Sequence, residues 1–223
     1  MVEDRAANIL RILRGTFTMP KWATSTRDPF KTLIVTIISQ NTADRNTAIA
    51  FENLSNKFEI VPEVLAKAET SKIEECLKIG GLYRNKAKTI KQVSEIIQRE
   101  YHGDLGQILS LPLEEARKIL LQFPGVGPKT ADVVLLFCAE RPTIPVDTHV
   151  DRVSKRLGLA PAGADYETNR KALQLLYSPK DYSAVHVLFI LHGRKYCKAR
   201  VPLCRQCPIR ELCPSRHLWD KND

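Results

Sequence analysis

The 223-residue chain has no apolar run of the length needed to cross a bilayer, so no membrane partner is expected. Its first residues, Met1-Val2-Glu3-Asp4-Arg5, lack the apolar core and cleavage site of a secretory signal. No transit peptide precedes the first expected helix. These absences point to an intracellular protein, cytoplasmic and nucleoid-associated, of bacterial or archaeal type. Acid is also in short supply: 25 Asp and Glu stand against 34 Lys and Arg, for a net charge of +9. That excess favours a polyanion, nucleic acid before a membrane surface, and says nothing about fold. A basic but uninvolved surface is the competing explanation.

What is present is an ordinary globular composition, 43% hydrophobic and 26% charged, in a chain long enough to bury a substantial core. The pattern is helical almost throughout, and an all-α fold is expected. Asp28-Pro29 supplies a cap and a first-turn proline for the apolar run Leu33–Ile38. That run is β-branched enough for a strand, but no hairpin or βαβ partner follows it, so a buried helix is expected. Ser71 with Glu74 makes a capping-box pattern ahead of Leu77 and Ile79. Pro112 opens a helix over Leu113 to Gln122, and further helices are expected from Ala131 and over Asp181 to Leu191.

One internal echo stands out. Leu77-Lys78-Ile79-Gly80-Gly81-Leu82-Tyr83 and Leu121-Gln122-Phe123-Pro124-Gly125-Val126-Gly127 both read as helix, glycine turn, helix. Each continues to an alanine at the same offset, Ala87 and Ala131. A two-fold repeat of hairpins and coincidence are both open at this length of match.

The second of these segments carries chemistry. Gly125 and Gly127 permit a tight turn and leave backbone N–H groups uncovered by side chains. The next helix begins there, so its free N–H groups and the positive end of its dipole face outward together. Such a surface, with Thr130 in the first turn, holds a DNA phosphate without reading a base. Pro128 suits the first helical position, where its missing N–H costs nothing. A plain αα-turn is the alternative.

Near the C-terminus, His192 to His217 holds seven Lys and Arg, one acid (Glu211) and four cysteines. Cys197, Cys204, Cys207 and Cys213 follow the spacing C-x6-C-x2-C-x5-C. Four soft thiolates suit tetrahedral zinc or an iron–sulfur cluster, and spacing alone does not decide between them. Cys76 and Cys138 lie in apolar helical contexts and read as buried free thiols.

Pro124-Gly125-Val126-Gly127-Pro128-Lys129-Thr130-Ala131, followed by Val146-Asp147-Thr148-His149, resembles the hairpin and acid loop of endonuclease III-like DNA glycosylases. The likeness runs from about Pro29 to Cys213. It implies two helical lobes with a DNA-binding cleft between them: a six-helix barrel with the helix-hairpin-helix over residues 21–141, and an iron–sulfur domain over 1–20 and 142–223. It implies a [4Fe–4S] cluster on the four cysteines, whose loop would bring Lys198, Arg200 and Arg205 to the phosphate backbone. Lys129 and Asp147 are implied as the catalytic pair. Departure of a base builds positive charge on the sugar, which a carboxylate at Asp147 would stabilise. Lys129 would attack the anomeric carbon and form a Schiff base, permitting strand cleavage by β-elimination. An ammonium of ordinary pKa is a poor nucleophile, so that lysine needs burial or nearby cations.

Lys129 has a plainer alternative, a phosphate contact, and Asp147 another, an N-cap for Thr148 to Leu157. His149 reads as a structural hydrogen bond and Asp151 as helix surface; no role is assigned to Arg194. Ser39-Gln40-Asn41-Thr42 and Gly81-Leu82-Tyr83 resemble the family's insertion loops, which makes Gln40 and Leu82 the residues that fill the gap left by a flipped base. Ala43 stands where the family often has an acid, which leaves Asp44 without a role.

The resulting expectation is a monomeric base excision repair enzyme, a glycosylase with abasic-site lyase activity on damaged pyrimidines. Its partner is double-stranded DNA containing damaged or mispaired bases or abasic sites. A thymine or uracil glycosylase for T·G and U·G mispairs is the alternative enzyme. A non-catalytic DNA-binding protein is the alternative of another class.

Overall fold

The structure is a computed structural model that describes residues 2–20 and 27–218, and every regular element among them is helical. The chain divides into two compact units, Thr26–Arg141 and Met1–Ser25 with Pro142–Asp223. The expected boundary at residue 21 lies outside the described residues. Helix α1 (Val2–Thr16) belongs to the second unit and buries Ala6, Ile9, Leu10 and Leu13 on one face.

The first unit holds eight helices among its described residues: α2 (Pro29–Ser39), α3 (Asp44–Lys57), α4 (Pro62–Lys67), α5 (Thr70–Leu77), α6 (Tyr83–Tyr101), α7 (Gly106–Leu109), α8 (Leu113–Leu120) and α9 (Pro128–Ala139). The strand-like run is helical, as its cap predicted. Asp28 Oδ1 accepts from Lys31 N at 2.8 Å, and Pro29 occupies the first turn. Seven of the eleven α2 residues are buried, which places this helix centrally, with α3, α6 and α9 packed around it. Apolar on most of its circumference, α2 has no solvent face to conserve. Phe30, Leu33, Ile34, Ile37 and Ile38 join Leu54, Ile90, Val134 and Leu135 in one continuous core.

The capping box at Ser71 is a correction. Helix α5 begins at Thr70, with Glu69 in the cap position and no side-chain cap bond. The backbone carbonyl of Glu69 already accepts from Lys72 N and Ile73 N, so Ser71 lies inside the first turn rather than before it. Two helix-turn-helix units result, α5 into α6 and α8 into α9, at the places of the echo in the sequence, with left-handed residues at Leu82 and Gly125.

The second unit completes α1 with α10 (Thr148–Arg156), α11 (Tyr166–Leu176) and α12 (Tyr182–Lys195). Helix α12 packs on α1 and α10, and buries Val185, Val187, Leu188 and Phe189. Asp151 is more than surface: it pairs with Lys155 at 2.7 Å and accepts from Asn169 Nδ2 at 2.9 Å, tying α10 to α11. After α12 the chain folds through short 3-10 turns at Cys204–Gln206, Arg210–Leu212 and Arg216–Leu218.

Candidate functional site

In the first unit, three turns carry the expected DNA-facing residues. Helix α8 ends at Leu120, and the following turn plugs Phe123 and Val126 into the core. Gly125 between them has φ +68°, and a Cβ there would lie 2.7 Å from Thr89 Cγ2. Both the backbone and the neighbour therefore require glycine. Gly127 is different. Its φ of −91° suits any residue, and a Cβ there would meet nothing within 4 Å. The open face it leaves lies at the cap of α9, where the first intrahelical bond runs from Ala131 N to Gly127 O. Lys129 is the second residue of this helix and is half-buried; Thr130 beside it is buried. A buried fork braces the hairpin from below: Arg117 Nε and Nη2 donate to Asp132 Oδ1 and Oδ2 at 2.9 and 3.2 Å, joining α8 to α9.

Gln40 follows α2, half-buried, and its Nε2 donates to Gly125 O at 2.9 Å and to Thr130 Oγ1 at 3.4 Å. The loop at Gln40 and the hairpin turn are thus in direct contact. Leu82 precedes α6 with φ +59° and is 58% exposed. A bulky residue in the left-handed region with its side chain in water bears both backbone strain and unburied apolar area. The Leu82 side chain is therefore not folded back on the core.

In the second unit, Asp147 caps α10. Its Oδ1 accepts from His149 N and Val150 N, both at 2.8 Å, while Oδ2 takes no hydrogen bond among the described residues. His149 is half-buried and accepts at Nδ1 from Arg152 Nη2 at 3.0 Å. A guanidinium can only donate, so Nδ1 is the acceptor in this contact. Arg152 also donates to Gly193 O and Cys197 O, at 3.1 and 2.9 Å. The helix that starts at Asp147 is thereby fastened to the first of the four clustered cysteines.

All four line one small pocket, together with His192, Tyr196 and Arg156. Burial pushes the Cys207 thiol up to about 11, and the nearness of Cys213, Cys197 and Cys204 adds to that rise. Sulfurs this close repel as thiolates unless positive charge stands among them, which is the demand a metal centre answers. His192 lies with Nε2 3.8 Å from Cys207 Sγ, and burial lowers its pKa to about 4, so it is neutral at pH 7. Arg156 donates to Cys197 Sγ at 3.5 Å and to Lys198 O and Ala199 O at 2.7 and 2.9 Å, holding the loop that follows. Lys198, Arg200 and Arg205 are all exposed on it, as is Val201. Of the other two thiols Cys76 is buried, whereas Cys138 is half-buried, at the edge of the core rather than within it. Asp44 opens α3 on the surface.

Residues 34–179 match the model of the HhH-GPD superfamily of base excision DNA repair proteins. The chain belongs to this superfamily. Within the HhH-GPD proteins it is similar to the endonuclease III of Sulfolobus acidocaldarius, 38% identical over 84% of this chain and 82% of that one. A solved structure of a trapped covalent endonuclease III–DNA intermediate superposes with a TM-score of 0.85, covering 98% of both chains at 30% identity. A thermostable thymine-DNA glycosylase superposes at 0.73 over 96% of this chain and 95% of that one, at 23% identity, and shares the fold. The chain is an endonuclease III-like base excision repair enzyme, a DNA glycosylase and abasic-site lyase, and DNA is its substrate. No described helix is long and apolar enough to cross a membrane.

Sequence reasoning missed three residues of this region. Lys86 is buried, and its Nζ donates to Ile38 O and Thr42 Oγ1 at 2.7 and 2.5 Å. Arg117 and Asp132 are the other two. The repeat would have flagged Lys86, because it stands directly before Ala87, where Thr130 stands before Ala131.

Proposed function

We propose that this enzyme, acting as a monomer, removes oxidised or otherwise damaged pyrimidines from duplex DNA, with Lys129 as nucleophile and Asp147 as its acidic partner. The observation that carries the reading is the setting of Lys129. Lys129 is half-buried in the first turn of α9, two residues after a glycine left bare toward solvent, in a hairpin tied down by a buried ion pair. Gly125, Gly127 and Thr130 place that turn's backbone against a phosphate, so the amine meets the sugar of the adjoining nucleotide. Attack of Nζ on the anomeric carbon expels the base, and the amine's proton is lost as the bond forms. The ring opens to a Schiff base, which allows a proton to leave C2′ and the C3′–O bond to break. The carboxylate oxygen of Asp147 that caps nothing stabilises the cationic sugar as the base departs. Covalent bonding to DNA is recorded for the structurally similar endonuclease III.

The target nucleotide must leave the stack, and Gln40 and Leu82 fill the space it vacates. An exposed left-handed leucine at a turn has no other partner to justify its strain. Lys198, Arg200 and Arg205 supply the salt-sensitive contact to phosphates.

The four cysteines are proposed as ligands of a [4Fe–4S] cluster. Four thiols line one pocket that has no carboxylate among its lining residues, a donor set that suits a soft iron–sulfur centre. When bound, the cluster supplies positive charge that fixes the thiolates and hence the basic loop. Purified protein should carry iron and acid-labile sulfide in equal amounts. Zinc in place of both would overturn the assignment.

A panel of duplexes tests the substrate. Oxidised pyrimidines should be excised and the strand nicked at the same site. Excision confined to T·G or U·G mispairs would replace the reading by the mismatch-specific one, and binding without excision of any base would leave only a DNA-binding protein.

A further inference from the structure

The loop that carries Gln40 is held from two sides by equivalent positions of the two hairpins. At the spacing that pairs Ala87 with Ala131, Lys86 pairs with Thr130. Both residues are buried, and both reach the turn after α2: Thr130 Oγ1 accepts from Gln40 Nε2, while Lys86 Nζ donates to Ile38 O and Thr42 Oγ1. Thr42 Oγ1 in turn donates to Gln40 O at 3.2 Å. A Cβ on Gly80 would lie 3.6 Å from Thr42, and one on Gly81 3.8 Å from Asn41 O, so the turn before Leu82 packs on the same loop. Lys86 is also joined to that turn through the chain, its N–H donating to Leu82 O at 3.0 Å.

We infer that Lys86 is a positioning residue for base extrusion, its ammonium locking the Gln40 loop to the Leu82 turn so that both side chains meet the duplex together. The inference rests on the reading of Gln40 and Leu82 as insertion residues. The geometry argues for it in three steps. First, Lys86 is only 5% exposed, and no carboxylate pairs with its ammonium among the described residues. Its partners are a hydroxyl and a carbonyl in the last turn of α2, where helix carbonyls lack intrahelical donors and favour a cation. Second, a buried charge held only by dipoles adds little to stability over an apolar chain of the same length. What it adds is direction: two short hydrogen bonds fix where the loop sits. Third, Asn41 has φ +52° and Leu82 φ +59°. Asparagine takes that region readily, but a left-handed leucine persists only where its surroundings over-determine it, and Lys86 joins the Leu82 turn to the Gln40 loop.

The test uses cluster-loaded protein and a duplex carrying a tetrahydrofuran abasic analogue opposite 2-aminopurine, whose fluorescence rises when it is unstacked. Lys86→Met at saturating protein should lose at least about fivefold of the wild-type rise, and its preference for abasic over undamaged duplex should fall about tenfold. Affinity for undamaged duplex, set by backbone contacts, should change less than about twofold. In a Gln40→Ala background Lys86→Met should add less than about twofold, because the two act through one loop. A role confined to stability would move melting and leave the fluorescence rise of the folded fraction intact. That result, or full fluorescence from Lys86→Met, overturns the inference. Should Lys86→Met not fold, Thr42→Val removes one acceptor and keeps the lysine, and the same drop, at least about twofold, is expected. Full fluorescence from Thr42→Val would then overturn it. Leu82→Ala separates this from the parent reading. If Leu82→Ala is dark and Lys86→Met bright, only the Lys86 inference falls; if Leu82→Ala is bright, the insertion reading falls and takes Lys86 with it.

Discussion

The two hairpins of the first unit share a plan and divide the work. Between α8 and α9 the left-handed residue is Gly125, pressed on Thr89, and the surface presented is bare backbone at Gly127. Between α5 and α6 the left-handed residue is Leu82, and the surface presented is an apolar side chain. The α8–α9 hairpin has the buried Arg117–Asp132 fork beneath it. At the same spacing the α5–α6 hairpin has Ile73 and Lys88, and no such pair. On the proposed roles, the difference teaches that one turn is held fast, as a phosphate cradle and nucleophile platform must be. The other, on the same proposal, offers a wedge to a duplex and accepts strain for it.

Breaking the fork should give the largest effect. Asp132→Ala leaves a buried guanidinium without its partner and should cost about 3–5 kcal/mol of unfolding free energy, read by denaturant titration. A loss below about 1 kcal/mol would mean that the fork is not what holds the cradle. Next comes Gly125→Ala, which forces a left-handed alanine against Thr89 and should cost about 1–3 kcal/mol. Gly127→Ala sharpens the contrast within one turn. Stability should stay within about 0.5 kcal/mol, while affinity for undamaged duplex falls, because only the approaching phosphate would meet the new methyl group. Leu82→Gly should change stability by less than about 1 kcal/mol, since released strain and added chain entropy oppose each other. It should nevertheless abolish the preference for abasic over intact duplex. Smallest is Lys198→Ala, which should reduce the slope of log affinity against log salt by about one and leave excision at saturating DNA unchanged.

Much of this was legible in the sequence, and the reasons are local. Asp28-Pro29 announces α2, and Pro124 to Ala131 announces the hairpin, because caps and glycine turns act within a few residues. The four cysteines are legible for the same reason. Ser71 misled because a capping box is a pattern of residue types, and the Glu69 carbonyl had already started the helix. Apart from the place of Lys86 in the repeat, residues that act across the chain left no such trace. Lys86 reaches Ile38 and Thr42, and Arg117 reaches Asp132, over separations that periodicity does not encode. Asp147 presented a choice between cap and acid; the structure gives one carboxylate oxygen to the cap and leaves the other unengaged by the described residues.

The central claim is that the Lys129 amine becomes covalently attached to deoxyribose. Borohydride reduction in the presence of an abasic duplex measures this directly. The wild-type chain should be trapped as a stable protein–DNA adduct, and Lys129→Ala should give none while still binding the duplex. An adduct that persists in Lys129→Ala, or its absence from the wild-type chain, would contradict the account.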